Sequence, residues 1–232
     1  MRIDIIKLLD FYDQYRDVRA RHVAAINGFL GDELILAFFS HYMASAGKTV
    51  AVTSHTPVAT ETRQRLSRWL IVSGGSNDFL YQTLVRNWSV YSTGVPRTLR
   101  RDMDIRALRS WSRAMFGREW NTLARTFKDQ TNVGKVMLPM GLPDNYQEES
   151  PQVRPLVCYW YPISNSLSSN RLQFFFTLKS RRGEFREVDI FSTSLYARSL
   201  LRSGVGHVDL DLGHVNTTLD LLRSFMVFRG LG

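Results

Sequence analysis

Between Ile5 and Ala25 apolar side chains recur at helical spacing, with Ile5, Leu8, Leu9 and Tyr12 on one stripe and Arg16, Arg19 and Arg21 beyond it. Gly28 and Gly31 are expected to break that helix. A second is predicted from Asp32 to about Ala44, where Leu34, Leu36, Ala37, Phe38, Tyr42 and Met43 surround most of the circumference. That is the pattern of a buried helix rather than a surface one, and Gly47 supplies its end. From Thr49 the period changes to that of strands. TVAVT (Thr49 to Thr53), RWLIVS (Arg68 to Ser73) and the longer run Phe79 to Val90 read as three of them, and the intervening GGSND makes the last two an antiparallel hairpin.

A further helix is predicted from about Met103 to Lys128, turning Ile105, Leu108, Trp111, Met115, Leu123 and Phe127 toward a core. Strands are expected at Gly134 to Met140 and Val157 to Pro162, separated by a Pro/Glu/Asn/Gln-rich loop from Gly141 to Pro155 that sets a soft boundary. Residues 1–150 then form the first part and 151–232 complete or extend the same domain. In the second part a hairpin-like pair (Arg171 to Lys179, Phe185 to Phe191) precedes a short helix near Thr193 to Leu201, a strand His207 to Leu212 and a closing helix Asn216 to Phe228. The fold class is α/β.

A chain of 232 residues can bury a sizeable core without cross-links. Its single cysteine, Cys158, cannot form an internal disulfide, and the apolar neighbours Val157, Tyr159 and Trp160 point to burial. The apolar run Leu34 to Phe39 is far too short to span a bilayer, and no basic start precedes a long apolar stretch. A soluble, cytoplasmic protein with no membrane partner is expected. Thirty Lys+Arg against 21 Asp+Glu give a net charge of +9. Lysine is confined to Lys7, Lys48, Lys128, Lys135 and Lys179, so arginine carries most of the positive charge. A polyanionic partner is implied, because guanidinium groups suit phosphate oxygens and base edges.

Three segments sharpen this: GDELILAFFSHYM, RLSRWLIV and LYQTLVRNWSV. In the order helix, strand, hairpin, helix, strand, over roughly the first two-thirds of the chain, they resemble a bacterial group within the PD-(D/E)XK, or restriction-endonuclease-like, nuclease superfamily. That group carries YQ-x-E-x-K-NW on its third strand and RLD-R-W before it. The resemblance implies a core of one helix, a mixed central sheet containing a hairpin, a second helix and a further strand, with an additional C-terminal α/β part. It also implies a subunit of a bacterial complex for DNA processing or defence.

In such enzymes an Asp and a Glu bind Mg²⁺ through hard oxygens, and a Lys two residues after the Glu helps to activate water. Position by position the Asp falls on Ser67, the Glu on Leu84 and the Lys on Arg86; of the acids only the helix one persists, as Glu33 or Asp32. Ser67 is a weak neutral ligand, Leu84 is none, and Arg86 does not deprotonate. The expectation is a silent nuclease fold with no catalytic residue, metal or cofactor. It would bind nucleic acid, duplex DNA first, through Arg63, Arg65, Arg68, Arg86, Arg97, Arg100 and Arg101, and through Arg106, Arg109 and Arg113 on one helix face. These arginines can equally form a solvated face paired with Asp102, Asp104 and Glu119.

Two other functions stay open at this stage. An active Mg²⁺-dependent nuclease would need migrated acids, with Asp32, Glu33, Glu61 and Asp78 as candidates. A protein-interaction scaffold would make Tyr81, Leu84 and Trp88 ordinary strand core and the basic face incidental. ASAGKTV lacks the first glycine of a phosphate-binding loop. HVDLDLGHV sets His207, Asp209 and Asp211 on one strand face near His214, but such alternation belongs to any half-buried strand. The aromatic runs Tyr159 to Tyr161 and Phe174 to Phe176 could stack on bases, although strand core or a protein interface is the simpler reading.

Overall fold

The computed structural model describes residues 1–14, 21–53, 67–74, 79–86, 97–98, 153–160, 162–165, 172–179 and 187–225. The fold is mixed α/β. Its centre is a sheet built from β2 (Thr49–Thr53), β3 (Ser67–Ser73), β4 (Phe79–Arg86), β6 (Val153–Tyr159), β9 (Glu187–Ser192) and β8 (Phe175–Lys179), side by side in that order. β2, β3 and β4 form an antiparallel meander, β4, β6 and β9 run parallel, and β8 returns antiparallel to β9. Short pairs join β1 (Arg2–Asp4) to β10 (His207–Asp209), and β5 (Arg97–Thr98) to β7 (Ile163–Ser164). The described helices are α1 (Ile5–Gln14), α2 (Arg21–Ser45), α3 (Thr193–Arg202) and α4 (Gly213–Phe225).

The expected break at Gly28 and Gly31 does not occur, since α2 runs through both. Each glycine costs a helix interior only about 1 kcal/mol, whereas burial of every residue from Leu34 to Phe39 offers far more. The helix does end at Gly47, whose φ of 74° suits a residue without Cβ. There Lys48 N–H donates to the Met43 carbonyl and Gly47 N–H to that of Ala44, and α3 closes the same way at Gly204, φ 83°.

Strand β6 starts earlier than the expected Val157 and includes Pro155. The proline is tolerated because β9 joins β6 only from Leu156 onward, leaving Pro155 with β4 as its one neighbour. The closing helix begins at Gly213 rather than Asn216, and β10 ends at Asp209 rather than Leu212. The helix expected from Met103 to Lys128 and the strand from Gly134 to Met140 lie outside the described residues, as do 87–90 at the end of the third strand.

Helices α1, α2 and α3 share one core with the sheet. Phe39 stands at its middle, with ring centroids 5.9 Å from Tyr81, 6.2 Å from Phe175 and 5.3 Å from Phe191. Tyr42, Phe174 and Tyr196 extend this aromatic packing, and Cys158 is buried beneath it. Burial raises the Tyr42 and Tyr196 phenols above their ordinary value of 10.0, and the Asp189 carboxylate adds to the rise at Tyr42. The fold thus favours the neutral phenols. Stability from this source is intact below about pH 10 and falls as pH rises through the folded-state values. Melting temperature should hold steady from about pH 7 to 9 and drop above about pH 10, and Tyr42→Phe should soften the drop.

Candidate functional site

Strands β4, β6 and β9 are parallel, so their carboxyl ends meet at one end of the sheet, the place where open α/β sheets receive ligands. The register fixes which positions assemble there. Ser67 pairs with Leu84 across β3 and β4, and Leu84 with Val157. One step further out, Arg86 pairs with Tyr159, and Tyr159 with Ser192, after which β9 runs straight into α3. Arg97 arrives at the same end through its pairing with Ile163, whose N–H donates to Ser192 Oγ at 3.1 Å.

The backbone therefore gathers Ser67, Leu84, Arg86 and Arg97, and Arg68 lies beside them on β3. Arg63, Arg65, Arg100, Arg101, Arg106, Arg109 and Arg113, together with Glu61 and Asp78, lie outside the described residues. Asp32 is placed on α2. Glu33 has a structural engagement: its Oε2 accepts the Val215 N–H at 2.9 Å, in the first turn of α4. A carboxylate there satisfies one of the helix's otherwise unbonded donors and complements the helix dipole. Glu33→Ala should cost about 1 kcal/mol, the usual size of a lost cap, read as a lower urea midpoint.

This donor set does not fit a hard divalent cation. Ser67 offers a neutral hydroxyl, Leu84 offers nothing, and Glu33 is committed to α4. Among the described residues no group of three or more His, Cys, Asp or Glu is arranged to hold a metal. His207 and Asp209 are exposed on β10, while Val208, Leu210 and Leu212 are buried, as the alternation implied. Tyr159, Trp160 and Phe176 are likewise core residues.

Sequence reading missed Asp189. This carboxylate sits on β9 with 1% of its surface exposed. Tyr81 Oη donates to its Oδ2 at 2.9 Å and Thr177 Oγ1 to its Oδ1 at 2.6 Å. A lone acid between Val188 and Ile190 was the signal available. Its partners come from β4 and β8, and its burial makes it a fastener of the sheet rather than a migrated metal ligand.

Comparison of the chain with family models, curated proteins and solved structures returns no match.

Proposed function

We propose that this chain is a catalytically silent relative of the PD-(D/E)XK nucleases that binds nucleic acid, duplex DNA first, as a DNA-processing or defence subunit. The reading is carried by one observation: Ser67 and Leu84, the positions where that family holds its metal-binding acids, are direct cross-strand partners. Positions so paired are nearest neighbours across the two strands. The order of α2, an antiparallel meander and then a parallel strand further supports it, because a parallel partner for β4 requires a long crossover.

With a serine and a leucine at those positions, the site has lost its metal while Arg86, two residues beyond Leu84, keeps a positive charge where a scissile phosphate approaches. Binding of this kind is electrostatic and weakens steeply with salt. Arg86→Glu is expected to weaken duplex binding to a similar degree across sequences and to lower the salt slope by about 1 or more. Fluorescence anisotropy of a labelled duplex over a salt series checks both. Unchanged affinity would favour a scaffold whose basic face is incidental.

A further inference from the structure

Among the described residues the six-stranded sheet is bounded by β2 on one side and β8 on the other. An edge strand presents unpaired N–H and C=O groups, and proteins that avoid edge-to-edge pairing blunt it with a lysine, a proline or a bulge. β2 carries none of these: TVAVT is free of charge, proline and glycine, and its pairing with β3 runs unbroken from Thr49 opposite Ser73 to Thr53 opposite Trp69. Thr49 and Ala51 are exposed, while Val50 is half-buried against the core.

The strand also reads the same in both directions. An antiparallel partner is met in reverse order, so a second copy of TVAVT centred on Ala51 sets threonine against threonine, valine against valine and alanine against alanine. Thr–Thr and β-branched pairs are favourable cross-strand contacts, and a two-fold interface needs a patch that complements itself. Val50 and Val52 stand opposite Val72 and Leu70, both buried in the core that α2 shares. The valine pairs therefore continue that core across the two-fold axis, and the threonine and alanine positions fall on the opposite face. Lys48, just before the strand, meets position 54 of the second copy. The two lysines are then about 20 Å apart along the pair, beyond the screening length of physiological salt. β8 lacks this symmetry: reversing FFTLK about Thr177 sets Phe175 against Lys179.

We infer that β2 is an interaction surface for a second copy of this chain, joined by antiparallel pairing about Ala51 into a two-fold dimer with one continuous sheet. An edge of 5 residues is a small contact, so the dimer is reversible and forms with rising concentration. The inference stands without the nuclease reading, because the partner is the chain itself.

The test is analytical ultracentrifugation of the full chain over a concentration series, without nucleic acid. The mass of the parent should rise from monomer to dimer. Ala51→Lys and Ala51→Glu each set like charges directly opposite at the two-fold axis, and each should weaken dimerisation roughly fivefold or more at low salt. Because Ala51 is exposed, both variants should keep the parent's circular dichroism and, in dilute solution, its melting temperature. Mixing the two in equal amounts opposes lysine to glutamate and should restore the dimer to at least the parent's affinity, a rescue that damage to the fold by either substitution would not give. A parent that stays monomeric throughout the series overturns the proposal. So does a dimer that both charge variants leave intact, which would belong to another surface, and so does a mixture that fails to recover. Rescue in a protein that ignores duplex DNA would sink the function proposed above and leave this interface standing.

Discussion

Replacing Asp189 by alanine is expected to lower the unfolding free energy by about 3 to 5 kcal/mol, enough to consume much of a domain's stability. The carboxylate is buried on β9 and ties β4 to β8 through Tyr81 and Thr177. Alanine removes the acceptor that the buried Tyr81 hydroxyl and the half-buried Thr177 hydroxyl share, and each lost bond to a charged group is worth roughly 1.5 to 3 kcal/mol. Asp189→Asn keeps an acceptor oxygen and should cost visibly less. Urea unfolding followed by tryptophan fluorescence measures both. A loss under about 1 kcal/mol for Asp189→Ala would mean that the sheet does not depend on this network.

Phe39→Ala should produce a loss of similar size, about 3 to 5 kcal/mol, for a different reason. Its ring meets Tyr81, Phe175 and Phe191 from three strands, so truncation opens a cavity between α2 and the sheet that rigid neighbours cannot fill. Leu221, 61% exposed on α4, is the control: its alanine variant should stay within about 0.5 kcal/mol of the parent. If both variants shift the urea midpoint equally, the core is not centred where Phe39 lies.

The parts of the fold legible from sequence were those governed by local pattern. TVAVT, RWLIVS and FLYQTLVR declared strands through period-two alternation, and their glycine-rich turn declared the hairpin. Gly47 declared the end of α2 because its backbone conformation is costly for any residue with a side chain. What escaped depends on distant partners. β1 is three residues long and exists because Ile3 pairs with Val208 from the far end of the chain. The continuity of α2 across Gly28 and Gly31 follows from tertiary burial that helix propensity does not contain. The candidate site divides the same way. Ser67, Leu84 and Arg86 could be singled out through the resemblance of RLSRWLIV and LYQTLVRNWSV to a nuclease motif, whereas the engagement of Glu33 with α4 and the fastening by Asp189 need contacts made across the fold.

The central claim is binding without cutting, and titration of a labelled DNA duplex at low salt, first with EDTA and then with Mg²⁺ or Mn²⁺, tests it most directly when shift and cleavage are scored in the same samples. The account predicts a salt-sensitive shift that needs no metal and leaves the DNA intact. Metal-dependent cutting would contradict it and restore a working site built from migrated acids, and absence of any shift at low salt would remove nucleic acid as the partner.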